Sequence, residues 1–291
     1  MEWPKDWGLR LRMWLTILLL GVVYLVFIAV LAALGVPFVY LIGLVFLMSF
    51  LQYFFSDRIV LWSMRAHVLD ESEYPELHAM VEKLAMEAGI PKPKIAMVRT
   101  PVPNAFATGR SPSNAVVAVT DSITRLLTPK ELEAVIAHEL AHVKNRDVLT
   151  MTIASFVSMI AFMVMRYALF FSYGNRRDSG GILIAWIVSV IVWLVSMILI
   201  NALSRYREYA ADRGSAYITK NPRALITALY KISGRMDYVP PEKRREIEGA
   251  NAFFIIPSLS GDTLMELFST HPPLEKRVAA LEEIEKEVRW A

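Results

Sequence analysis

Residues 128–171 read TPKELEAVIAHELAHVKNRDVLTMTIASFVSMIAFMVMRYALFF, a polar segment that runs directly into an apolar one. Thr128 suits an N-cap, Pro129 the first helical position, and Glu131 completes a Thr-x-x-Glu capping box, so the sequence predicts a helix starting here. His138 and His142, four apart, project from one face of that helix, with Glu139 about 100° round. Two imidazoles on one face can reach a single tetrahedral metal, zinc being the natural occupant, while Glu139 faces a water beside it. Chance supplies this pattern about 0.006 times in a chain of this composition. From about Val148 to Phe171 the sequence is apolar over the roughly 20 residues that a bilayer crossing needs.

Working outward, the chain is 55% hydrophobic yet 20% charged over 291 residues, so its apolar surplus is concentrated in segments. Trp14 to Phe55 carries no charge and is interrupted only by Gly35-Val36-Pro37, which reads as two spans and a tight hairpin. A secretory signal peptide has an apolar region of about 7–15 residues, which this run exceeds, so the segment is expected to be retained. A further span, about Gly181 to Leu203, is joined to the one after Val148 by the turn-forming loop 172–180. The expected count is four. Arg10, Arg12, Arg58, Arg65, Lys144, Arg146, Arg205 and Arg207 flank one side and Arg166, Arg176 and Arg177 the other, which puts the larger group and both termini in the cytoplasm. Arg166, inside the third span, is read as snorkelling to the headgroups, with no assigned role.

The expected fold is therefore mostly α: a four-transmembrane-helix membrane protein with a cytoplasmic zincin-like α+β protease domain containing a small sheet. It divides into a hairpin over 1–55, a catalytic part over 56–147, a second hairpin over 148–203 and a second catalytic part over 204–291. Tyr74 to Gly89 has helical apolar spacing at Leu77, Met80, Val81 and Leu84, whereas Lys94–Thr100, Asn104–Thr108 and Ala115–Thr120 read as short strands. With no cysteine, any metal is bound through His, Asp or Glu. The net charge of +3, spread over 31 basic and 28 acidic residues without a basic stripe, argues against nucleic acid. His67 and His78 read as surface histidines, Lys243-Arg244-Arg245 as a solvated helix face, and 251–257 as a segment packed on the core or dipping into the membrane surface.

A catalytic zinc needs a third protein ligand. Beyond the fourth span, Glu208 and Asp212 share a helix face at i, i+4, making Glu208 the candidate ligand and Asp212 a candidate acceptor for the distal N–H of a ligating histidine. An exposed charged helix pairing Arg205 with Glu208 is the alternative. His142 precedes the third span by about six residues and Glu208 follows the fourth by about five, each roughly 9 Å of helix, so both sit at similar height on one membrane face.

His138-Glu139-Leu140-Ala141-His142, then Ser204-Arg205-Tyr206-Arg207-Glu208-Tyr209-Ala210-Ala211-Asp212, and Ser269-Thr270-His271-Pro272-Pro273 resemble the HtpX-type membrane zinc proteases, relatives of the CAAX prenyl proteases. The resemblance covers essentially the whole chain. It implies that His138, His142 and Glu208 hold one zinc, that Glu139 is the general base, and that Asp212 supports a ligand. It implies also that Asn104-Ala105-Phe106 belongs to an edge strand that pairs with a peptide, and that His271 and Arg277 stabilise the transition state, although His271-Pro272-Pro273 could simply begin a helix. The implied function is a zinc endopeptidase acting on polypeptides, with membrane-protein quality control as the suggested setting. Two rivals are a non-catalytic zinc-stabilised scaffold, in which Glu139 has no evident duty, and a zinc transporter, against which the spans offer no His, Asp or Glu. An intramembrane site is rejected because Lys130, Glu131, Glu133, Lys144, Arg146 and Asp147 surround the motif.

Overall fold

The computed structural model describes residues 4, 6–34, 39–172, 179–236 and 269–288. The expected turn at 35–37, most of the loop 172–180, the basic run 243–245 and the segment 251–257 lie outside them. The chain is mostly helical with one small mixed sheet, and it divides into two units.

One unit comprises residues 6–54 and 150–204. It contains helices α1 (Trp7–Ala33), most of α2 (Val39–Ser63), α6 (Asp147–Ser172) and the first part of α7 (Ser179–Thr219). Phe27, Leu31, Val45, Ile160, Ala161 and Val192 pack inside, and the Tyr24 hydroxyl donates to the Ala154 carbonyl at 2.6 Å. Large apolar side chains also cover the outside, Trp14, Leu18, Leu25 and Phe46 being 63–70% exposed. A helix that is apolar all round suits hydrocarbon rather than water. Among the described residues, three helices are long and apolar enough to cross a membrane, or four when the pieces Ile42–Phe55 and Asp57–Ser63 of α2 count as one span.

The other unit joins residues 1–5, 55–149 and 205–291. Its sheet has the order β1-β2-β4-β3, built from β1 (His67–Val68), β2 (Lys94–Val98), β3 (Ala105–Thr108) and β4 (Val116–Thr120). β2 and β4 are parallel, and β3 lies antiparallel to β4 at the sheet's edge. The two faces follow the period of two. Ile95, Met97, Val117 and Val119 face a core shared with α3 (Pro75–Ala88), α4 (Asp121–Leu126), α5 (Pro129–Asn145), α8 (Pro222–Met236) and α9 (Leu274–Val288). Ala96, Val98, Phe106, Val116 and Ala118 face the end of α2 at Val60, Leu61 and Met64. The turn from β3 to β4 depends on Gly109 at φ 122°, where a Cβ would lie 2.3 Å from the Asn114 carbonyl oxygen. The two-residue β1 was not read from the sequence.

His67 is exposed, as expected, but His78 is a correction: it is buried on α3 because it shares the inward stripe of Leu77 and Val81. α5, which carries the paired histidines, begins with both halves of the capping box. The Thr128 N–H donates to Glu131 Oε2 at 2.8 Å and the Glu131 N–H to Thr128 Oγ1 at 3.4 Å. Lys231 of α8 donates to the same Glu131 oxygen at 2.7 Å. Burial opposes the Glu131 charge, but the Lys231 ammonium and the Thr128 donors outweigh it and hold the carboxyl at about 2.

Such a depressed carboxyl stabilises the fold above its unfolded value, near 4.5, and the contribution is lost as pH falls towards about 2. Glu131→Gln is therefore expected to destabilise by about 1–3 kcal/mol at neutral pH. Thermal melts in detergent check this: the gap between variant and wild type narrows as the pH is lowered through that window.

Candidate metal centre

α5 is buried from Ala134 to Ala141, so its histidines enter the interior rather than solvent. His138 Nε2 and His142 Nε2 lie 3.1 Å apart. α7 runs unbroken to Thr219 and brings Glu208 to them, with Oε2 3.7 Å from His138 Nε2 and Oε1 3.4 Å from His142 Nε2. Glu208 is buried rather than on an exposed charged face, and Arg205 Nη1 donates to the Ser269 carbonyl at 2.8 Å. The Ser215 hydroxyl donates to the Ala134 carbonyl at 2.6 Å, which fixes α7 on α5.

The distal ring nitrogens each face a carboxylate. His138 Nδ1 lies 2.9 Å from Asp212 Oδ1, and His142 Nδ1 lies 2.5 Å from Asp147 Oδ2. Carboxylates beside both Nδ1 atoms favour the tautomer protonated there, which leaves a lone pair on each Nε2, and both Nε2 atoms converge on the Glu208 carboxylate. Three electron-pair donors so placed repel one another unless a cation lies between them. Ligands of a tetrahedral ion at about 2.0–2.1 Å are separated by about 3.3 Å; the two imidazole nitrogens are 3.1 Å apart, each lies 3.4–3.7 Å from one or other Glu208 oxygen, and one donor atom from each residue falls within 4.8 Å of the others. The group fits a metal ion, and all three donors are buried or half-buried.

Burial opposes the charge on Glu208, but His271, His138 and His142 outweigh it and hold its carboxyl well below the usual range. Burial likewise opposes Asp212, and the Arg277 guanidinium overcomes it. Arg277 grips Asp212 through Nε at 2.9 Å and Nη2 at 2.6 Å, and its Nη1 lies 3.5 Å from Glu208 Oε2. It is 1% exposed, so its guanidinium sits behind the ligands. His271 Nδ1 lies 3.1 Å from Glu208 Oε2, and the helix after it, α9, begins at Leu274.

Glu139 is buried, and desolvation raises its carboxyl above the ordinary value. Its Oε2 accepts the Ala107 N–H of β3 at 2.9 Å. Asn104, Ala105 and Phe106 thus lead into the strand that touches Glu139. Because the Thr120 N–H donates to the Asn104 carbonyl at 2.9 Å, antiparallel alternation turns the backbone groups of Ala105 and Ala107 away from β4, with Asn104, Ala105 and Phe106 all buried. Beside His142 a cleft opens, lined by Ala107, Thr108, Gly109, Arg110, Val143 and Arg146 among others.

Asp147, Arg207 and Ala107 were not singled out as site residues from the sequence. Asp147 and Arg207 stood out there only as charges flanking apolar segments, although Arg207 adjoins Glu208 and Asp147 follows His142 by five.

Residues 71–285 match Peptidase family M48. The chain is 58% identical over 290 residues to Protease HtpX homolog 2 of Methanosarcina acetivorans, covering 99% of each. It is 52% identical over 289 residues to the Protease HtpX homolog of Moorella thermoacetica, covering 98% of this chain and 97% of that one. The crystal structure of S. mikatae Ste24p shares the fold, with a TM-score of 0.56 at 19% identity over 94% of this chain and 67% of that one. These matches, with the metal-binding group of two histidines and a glutamate, show that the chain belongs to peptidase family M48 and is a metalloprotease.

Proposed function

We propose that the protein is a zinc endopeptidase of a cytoplasmic membrane, with the sheet-containing unit and both termini on the cytoplasmic side. The observation that carries this reading is the convergence of His138 Nε2, His142 Nε2 and Glu208 within 3.1–3.7 Å, with Glu139 next to them in sequence. Two imidazoles and one carboxylate, with no thiolate, match the donor set of hydrolytic zinc sites. Zinc held there supplies a Lewis acid that polarises a scissile carbonyl and acidifies an attacking water.

Glu139 is the base that takes a proton from that water and returns it to the leaving amine. Asp212 orients His138, and Arg277 holds Asp212 and Glu208 in place. With Arg277 so engaged, the role of donor to the developing oxyanion falls to His271. The substrate lies extended beside the Asn104-Ala105-Phe106 strand and pairs with it backbone to backbone, which selects conformation more than sequence. Loosely folded membrane proteins satisfy that demand, and protein quality control is the setting we infer. The four apolar helices span the bilayer, and the basic residues at their ends set the orientation.

Glu139→Gln is expected to lower cleavage of an unfolded protein by about 100-fold or more while one zinc per chain is kept. Unchanged cleavage at full zinc content would show that Glu139 is not the base. Separately, chelation of the detergent-purified protein is expected to abolish cleavage, and equimolar zinc to restore it. Cleavage that persists in metal-free protein removes the zinc assignment.

A further inference from the structure

We propose that Asp147 and Arg207 are a second positioning pair of the metal site, holding His142 as Asp212 and Arg277 hold His138. The inference rests on His142 being a metal ligand. His142 Nδ1 faces Asp147 Oδ2 at 2.5 Å, and Arg207 Nη2 lies 2.7 Å from the same oxygen. The arrangement repeats His138–Asp212–Arg277 in its parts: an imidazole, a buried carboxylate behind its distal nitrogen, and a buried guanidinium behind the carboxylate.

On an unbroken helix, the fifth residue after His142 would lie about 140° round from it, out of reach. Arg146, at φ 55°, ends α5 in the left-handed region and turns the chain so that Asp147, the first residue of α6, folds back on the ring. That region is unfavourable for a residue with a Cβ, so the turn is held by what it brings together.

Burial says the same of the partners. The side chains of Asp147 and Arg207 are 7% and 8% exposed, so neither charge is solvated by water and each depends on the other. His142 has the opposite difficulty. Its side chain is 18% exposed, against 2% for His138, and it borders the cleft, where water competes for its distal nitrogen. A fixed carboxylate there secures the tautomer that presents a lone pair at Nε2. Because Arg207 directly precedes Glu208, the pair also ties the start of α6 to the helix carrying the third ligand.

Asp147 also sits in the first turn of α6, where any carboxylate favours the helix, so stability alone does not separate the two roles. The test compares Asp147→Asn, Asp147→Ala and Arg207→Gln with wild type and with His142→Ala, all full-length in detergent. Zinc affinity is measured by chelator competition, and the visible spectrum is recorded after cobalt loading. Asp147→Ala is expected to weaken zinc binding by about 10–100-fold and to shift the cobalt bands. Asp147→Asn, nearly isosteric and still able to accept the Nδ1 proton, is expected to lose less and is the deciding variant where Asp147→Ala does not fold. Zinc affinity within twofold of wild type and an unshifted cobalt spectrum in Asp147→Asn and Arg207→Gln overturn the pair, provided His142→Ala loses zinc. If His142→Ala keeps wild-type affinity, the ligand assignment itself falls and the pair with it.

Discussion

The site is governed by the mutual repulsion of buried negative charge. Among the described residues, Glu139, Asp147, Glu208 and Asp212 bring four carboxylates into one buried region, and Arg207 and Arg277 bring two guanidiniums. With neutral histidines the imbalance is two negative charges, which is what a divalent cation supplies. Taking an unpaired carboxylate out of water costs several kcal/mol, so the ion and the fold are expected to depend on each other. Helices α5, α6, α7 and α9 each contribute a charged or metal-ligating side chain to this cluster, and none can be displaced without exposing a charge deficit in the others.

That dependence explains which parts of the site could be read from the sequence. The His138–Glu139–His142 group is legible because the helix places it with no help from tertiary structure, and the capping box before it marks where that helix starts. Glu208 and Asp212 are legible for the same reason once they are taken to continue the helix past Leu203, as α7 does to Thr219. Asp147 was hidden because helical periodicity sends it away from His142, and only the left-handed Arg146 reverses that direction. Arg277 was named, but its orientation towards Asp212 is set by the packing of α9 on the core, which no local pattern encodes.

The sheet shows the same division. The strands were visible as short apolar runs, and burial on both faces explains why β2 and β4 read as continuous runs rather than alternating ones. The two-residue β1 is too short to leave a periodic signal, and it exists through its pairing with Ala96 and Met97. His78 was misplaced for a related reason. Its polarity suggested surface, whereas its helical phase, one residue after Leu77, carries it inward.

One contact links the strand to the proposed chemistry. The Ala107 N–H is directed at Glu139, so β3 and the proposed general base form one hydrogen-bonded piece. In the proposed binding mode, a substrate strand paired with β3 is registered against Glu139 by backbone geometry, before any side chain is recognised. Intact domains keep their own backbone groups paired, and releasing a strand from its sheet leaves buried N–H and C=O groups unsatisfied. Only a segment already free of its own hydrogen bonds can bind without that cost. On that proposal the site discriminates by the folding state of its substrate, which is the property that the proposed removal of damaged membrane proteins requires.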